Sequence, residues 1–154
     1  MIEIEIENPA WTAALPDADA IARRAAQAAQ TAHDLGDVTV LLTDDATVHD
    51  LNRRFRDQDK PTNVLSFPAA AHAGGHLGDL ALAYGVCARE ATTQKKSLGD
   101  HLSHLVVHGV LHLLGYDHLN DADADRMEAT ERTILAGLGI ADPYAGDDRV
   151  DAAG

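Results

Sequence analysis

Four histidines recur along His101-Leu-Ser-His104-Leu-Val-Val-His108-Gly-Val-Leu-His112, and another follows at His118. His108 and His112 are four residues apart. On a helix that spacing puts both imidazoles on one face, about 6 Å apart along the axis. Two imidazoles so placed can share one tetrahedral metal ion at about 2.0–2.1 Å each. A third ligand has to return from outside the helix. Gly115 permits the left-handed backbone that turns the chain, and His118, six residues past His112, can swing back to the same ion. His108, His112 and His118 are therefore the candidate metal ligands. Three neutral ligands leave the ion's charge uncompensated and a fourth position open. That arrangement lowers the pKa of a bound water towards about 7 and polarises a phosphoryl or carbonyl oxygen. Imidazoles suit several transition metals, and zinc, one ion per chain, is the first choice by ligand type and availability.

The neighbouring histidines offer an alternative pair, His104 with His108. It is the weaker choice because His118 lies beyond the other end of the helix and reaches His112 first. His101 and His104 then become candidates for contacts to the ligands or the substrate, or structural residues. Asp117 either orients an imidazole or serves the turn. His72 and His76 sit in an Ala/Gly loop and make poor ligands, while His33 and His49 read as helix-surface residues. The His-x3-His-x2-Gly-x2-His spacing equals that of the metzincin proteases. Those enzymes place a glutamate directly after the first histidine as general base, and here that position is Gly109. Spacing alone therefore reaches as far as a metal-dependent hydrolase.

These residues need a scaffold, and 154 residues are enough for one domain. The lone Cys87 excludes an internal disulfide framework and a multi-cysteine zinc site. No stretch approaches the roughly 18 apolar residues of a membrane span. The start alternates isoleucine with glutamate and lacks the apolar run of a signal peptide, so a cytoplasmic location is expected. The net charge of −13 speaks against broad non-specific nucleic-acid binding. Within that acidic chain, Arg53-Arg54-Phe55-Arg56-Asp57-Gln58-Asp59-Lys60 forms a basic island.

Periodicity predicts strands over 2–7, 38–42, 63–67 and 78–84, and helices over about 17–34, 46–56, 86–96, 100–114 and 122–138. The expected inward faces are Ile21, Ala25, Ala28 and Ala32 in the first helix and Val48, Leu51 and Phe55 in the second. In the last helix they are Met127, Ile134, Leu135 and Leu138. The strands at 63–67 and 78–84 can pair as a long hairpin. The fold class is α+β: a single domain over 1–144 with a mixed four-stranded sheet, about five helices mainly on one side, and a loose acidic tail over 145–154.

The segment His108-Gly-Val-Leu-His-Leu-Leu-Gly-Tyr-Asp-His118 resembles the signature of the YbeY endoribonuclease family, the bacterial rRNA maturation factors. Asp59-Lys-Pro-Thr-Asn-Val-Leu-Ser-Phe-Pro68 is similar to that family's second signature. Leu77-Gly-Asp-Leu80, Arg89-Glu-Ala91 and Asp142-Pro-Tyr144 fall in the expected order, so the resemblance covers about residues 37–144. It implies a zinc-dependent, single-strand-specific endoribonuclease acting in 16S rRNA 3′-end maturation and ribosome quality control. RNA, the small ribosomal subunit and its assembly factors would be the partners, with no DNA and no membrane. It also implies zinc on His108, His112 and His118, Arg56 as a catalytic residue, and an α+β metal-hydrolase fold that shares its metal helix with the zincins. Arg53 and Ser66 are further candidates for substrate contact. Two other readings stand beside it: a metzincin-like peptidase, and a non-enzymatic ribosome assembly factor with a structural metal.

Overall fold

The computed structural model describes residues 1–30, 36–69, 75–116 and 120–144. Strand β1 (Ile2–Ile6) pairs in parallel with β2 (Asp37–Thr43), matching Ile2 to Val38 and Ile6 to Leu42. Its alternation sends Ile2 and Ile4 towards the core and Glu3 and Glu5 to the opposite face. β2 pairs in parallel with β4 (His76–Ala83), and β4 pairs antiparallel with β3 (Val64–Pro68), giving the order β1-β2-β4-β3. The mixed four-stranded sheet and the β3–β4 hairpin are as expected. β3 is an edge strand, where Pro68 costs no central ladder bond.

Six helices are described, one more than periodicity predicts. The extra one is α1 (Ala10–Ala14), too short to show a helical period between Pro9 and Pro16. Its Trp11 is fully buried, donates from Nε1 to the Thr43 carbonyl at 3.0 Å, and meets Tyr84 edge-on. Helix α2 (Ala18–Gln30) buries Ala18, Ala22, Ala25, Ala26 and Ala29. This face is rotated from the expected one: Ile21 and Ala28 lie at its margin, and Ala32 is outside the described residues. Small alanines let α2 lie close against α5.

Helix α3 (Asp45–Arg56) starts at Asp44, whose carboxylate accepts from the Thr47 amide, and stops at Asp57 in a left-handed conformation. Helix α4 (Tyr84–Thr93) follows β4 directly and ends before Lys95, which takes a positive φ in the turn rather than extending the helix. Helix α5 (Leu98–Leu113) is capped by Ser97, which accepts from the Asp100 amide, so it begins two residues earlier than predicted. Helix α6 (Asp121–Gly137) is capped in the same way by Asn120.

The main core lies between one sheet face and helices α2, α5 and α6, with Val38, Val40, Leu42, Leu80 and Leu82 meeting Leu102, Val106, Val110 and Leu111. α3 covers part of the other face, through Val48 and Leu51 against Leu41, Leu65 and Ala81, with Val86 of α4 packed against the same cluster. Phe55 does not join it. It is 61% exposed, meeting the Phe67 ring beside an open hollow that Thr39, Leu41 and Ala81 of the sheet also line. Met127 and Leu135 are buried as expected, with Ile134 and Leu138 packed at the margin of the core. Cys87 is fully buried, and burial pushes its thiol far up. No helix among the described residues is long and apolar enough to cross a membrane.

Trp11→Ala should lower unfolding stability by about 3–5 kcal/mol, measured by denaturant titration followed by circular dichroism. Cys87 should resist a thiol reagent in the native protein and react in stoichiometric amount only after unfolding, read by absorbance of the released chromophore.

Candidate active site

The site grows from α5. Ten of its 16 residues are buried against α2, the sheet and the flanking helices. The stripe left over carries His104, His108 and His112, spaced by one turn each and half-buried. Gly115, at φ +101°, ends the helix as expected, with its amide on the His112 carbonyl and the Tyr116 amide on the Leu111 carbonyl. The chain turns there towards residues 117–119. His118 and Asp117, the expected third ligand and its neighbour, lie outside the described residues.

His108 and His112 converge. Their Nε2 atoms are 3.2 Å apart and their rings stand at 80°. Two ligands at about 2.0–2.1 Å on one tetrahedral ion sit about 3.3–3.4 Å from each other. The separation is therefore the bite that a shared ion requires. Among the described residues, no third histidine, cysteine or carboxylate joins this pair as a metal ligand.

The opposite side of His108 is held by a residue that histidine spacing does not reveal. Glu131 of α6 is fully buried, and its Oε2 lies 3.1 Å from His108 Nδ1 and 3.0 Å from His104 Nε2. The Tyr144 hydroxyl donates to its Oε1 at 2.8 Å. Burial alone would push the Glu131 carboxyl up, but the hydrogen bonds from His104 and His108 outweigh it and hold it down at about 2. Burial lowers His104 despite the carboxylate beside it, so this imidazole stays neutral. Burial, with the negative Glu131 beside it, pushes the Tyr144 phenol up. His104 thus spends its Nε2 on Glu131, and the alternative metal pair with His108 is not formed in this geometry. A signal for Glu131 did exist: it stands midway between Met127 and Leu135, a carboxylate on the apolar stripe of α6.

His101 belongs to a different cluster. It is buried, with Nε2 2.8 Å from Oε1 of Glu90 in α4, and Glu90 also accepts from Asn63. Burial works against the charge on Glu90, and the His101 and Asn63 hydrogen bonds prevail to keep its carboxyl low. His101 therefore ties α5 to α4 and to the start of β3.

Arg56, the last residue of α3, turns to β3. Its Nη2 donates to the Ser66 carbonyl, and its guanidinium lies over the Phe67 ring. The Ser66 hydroxyl donates to the Gly109 carbonyl at 3.2 Å. Ser66 thus joins the arginine to the α5 residue next to His108, as a link between elements. Arg53 and Arg54 both pair with Asp50 on the exposed side of α3. Arg56 makes no ion pair among the described residues.

Comparison with known proteins shows the family. A family model described as Endoribonuclease YbeY matches residues 4–139. The Endoribonuclease YbeY of Paramagnetospirillum magneticum is 54% identical over 155 residues, covering 93% of this chain and 94% of that one. The protein of the same name from Azorhizobium caulinodans is 51% identical, covering 94% and 96%. The solution structure of TM1509 from Thermotoga maritima shares the fold, with a TM-score of 0.62 at 24% identity over 99% of this chain and 100% of that one. The relatives' shared name describes hydrolases that cut within RNA. With both signature segments in place, the α+β fold around them and a match along nearly the whole length, this chain belongs to the endoribonuclease YbeY family.

Proposed function

We propose that this chain is a zinc-dependent endoribonuclease that cuts single-stranded RNA at the 3′ end of the 16S rRNA precursor and in ribosome quality control. It would work in the cytoplasm, with the small ribosomal subunit and its assembly factors as partners. The catalytic unit is residues 1–144, with 145–154 as an acidic tail. One zinc per chain would sit on His108, His112 and His118. The observation that carries the metal reading is the 3.2 Å approach of the His108 and His112 Nε2 atoms. The rRNA assignment rests on the two signature segments.

RNA cleavage builds negative charge on the phosphoryl oxygens, and groups already aimed at that charge lower the barrier. Arg56 suits this role. A guanidinium has five donors in a planar fork and is always charged. One donor on the Ser66 carbonyl holds the fork in place, and others remain for two phosphate oxygens. When bound, the ion supplies Lewis acidity towards a phosphoryl oxygen and towards water. The His108–Glu131 hydrogen bond keeps one imidazole oriented for it. Arg53 is left as a peripheral contact, since Asp50 already occupies it.

Gly109 weighs against the peptidase reading. A Cβ there would meet Leu80 side-chain atoms at 2.8 and 3.0 Å and the Ser66 hydroxyl at 3.3 Å. That face of α5 is closed against the sheet and has no room for a glutamate base. The acidic body has its own consequence: a few positive groups must work against a net charge of −13. Affinity for naked RNA should be weak and fall with salt, and recognition would lean on ribosomal partners.

Arg56→Ala should retain about one zinc per chain and lose about 10²–10³-fold in RNA cleavage rate, measured by metal analysis and a single-turnover assay. His112→Ala should lose both zinc and cleavage. Full-rate cleavage by zinc-free protein would sink the proposal. Gly109→Glu, which rebuilds the metzincin pattern, should yield no peptidase activity and cost at least about 1–3 kcal/mol of stability through overpacking, read from peptide turnover and denaturant midpoint.

A further inference from the structure

We propose that Glu131 is the positioning residue of the metal centre: it fixes His108 with its proton on Nδ1, so that Nε2 offers its lone pair to the ion. This inference rests on the metal reading above and adds to it a residue outside both signature segments.

Three observations carry it. First, the placement is costly. Glu131 is fully buried on the inner face of α6 between Met127 and Leu135. Taking a carboxylate out of water carries a large desolvation penalty, and an apolar side chain at such a position often serves stability as well or better. Stability alone gives no reason for a glutamate there.

Second, the hydrogen bonds leave one proton arrangement. An ionised carboxylate accepts and never donates. His108 must therefore present Nδ1–H to Oε2, and His104 must present Nε2–H to the same atom. Tyr144 supplies the donor for Oε1. In a neutral His108 with its proton on Nδ1, the other nitrogen is a lone pair. That nitrogen is the one 3.2 Å from His112 Nε2. A ligand histidine characteristically donates its remote N–H to an oxygen, which sets both tautomer and ring orientation.

Third, the carboxylate is itself held. Arg132, one residue on in α6, pairs with Asp142 at 3.1 Å. Asp142 accepts from the Tyr144 amide at 2.8 Å, and the Arg132 guanidinium lies over the Tyr144 ring. The segment after α6 is thereby pinned with the Tyr144 hydroxyl on Glu131. Asp142-Pro-Tyr144 thus acquires a physical role, closing the far side of the carboxylate that orients His108.

The test uses the full chain with two readouts besides cleavage. Long-range ¹H–¹⁵N NMR on metal-free protein reads the His108 tautomer, and competition with a chromogenic chelator reads zinc affinity. Wild type should show His108 protonated on Nδ1. Glu131→Leu removes both acceptor oxygens at similar volume, so Nδ1 of His108 loses its partner. It should raise the Nε2–H form of His108 and weaken zinc binding by about 10–100-fold. Tyr144→Phe keeps both imidazole bonds and should weaken zinc by less than about threefold, well short of the range expected on losing the imidazole bond itself. A merely structural Glu131 would change the melting temperature and leave the tautomer alone. Unchanged tautomer with zinc affinity within about twofold of wild type, well below the range for losing an orienting partner, would overturn this inference and leave the metal reading standing. Wild type that binds no zinc would overturn both. If Glu131→Leu does not fold, the wild-type tautomer decides: a proton on Nε2 overturns the assignment.

Discussion

Helix α5 has two roles that conflict in a protein interior. It fills the middle of the main core through Leu102, Val106, Val110 and Leu111, and it carries four imidazoles, His101 buried and the other three half-buried. Buried polar groups are tolerated only when they are partnered. The fold meets this with two carboxylates delivered by neighbouring helices, Glu90 from α4 to His101 and Glu131 from α6 to His104 and His108. Each carboxylate in turn depends on those donors to stay ionised under burial. Charge and packing therefore stabilise one another. α4 and α6 seat against α5 where the carboxylates find their histidines, and the histidines are oriented because those helices are seated. The satisfaction is incomplete. Nδ1 of His101 and Nδ1 of His104 are buried with no hydrogen-bond partner among the described residues, a cost borne by the two imidazoles that do not face the His108–His112 convergence.

The same economy of charge appears on α3. Its last turn holds Arg53, Arg54 and Arg56, whose positive charges suit the negative end of the helix dipole. Asp50, three and four residues upstream, takes the first two. Arg56 instead turns towards β3 and the Ser66 carbonyl. The loop that follows is tied back to α3, since Asn52 donates to the Lys60 carbonyl and His49 pairs with Asp59. One arginine is thus directed to the sheet edge while its neighbours are neutralised in place. A chain of net charge −13 can focus positive charge at a point without becoming a general nucleic-acid binder.

Local patterns carried most of the scaffold and the His108–His112 pair in legible form. Isoleucine–glutamate alternation in β1, the β-branched run of β2 and the four-residue histidine spacing each reflect a period that one element imposes by itself. The failures are all cases where a distant element decides. Trp11 sits in one turn of helix because the Thr43 carbonyl and Tyr84 receive it. Which alanines of α2 face inward depends on where α5 lies. Phe55 has the period of a core residue, but the hollow it lines over the sheet is left open. Glu131 was visible as a charge on an apolar stripe, but its meaning required knowing that α6 packs with that stripe on His104 and His108. His118 and Asp117 lie outside the described residues, so the third expected ligand rests on spacing and on the family resemblance.

Gly109 shows how packing and chemistry meet at one atom's absence. Hydrogen in place of Cβ lets α5 approach Leu80 and Ser66 so closely that a methyl group would collide. That closeness lets the Ser66 hydroxyl reach the Gly109 carbonyl, and Ser66 is the residue whose own carbonyl holds Arg56. Restoring a glutamate after the first histidine would part helix from sheet at this point and loosen the arginine. The missing base and the added guanidinium are therefore two sides of one constraint. In a site that stabilises charge on a phosphate, as proposed here, a carboxylate at this position would oppose the developing charge, whereas Arg56 would complement it. The glycine that departs from the metzincin pattern lets α5 lie against the strand whose Ser66 carbonyl anchors a cationic group.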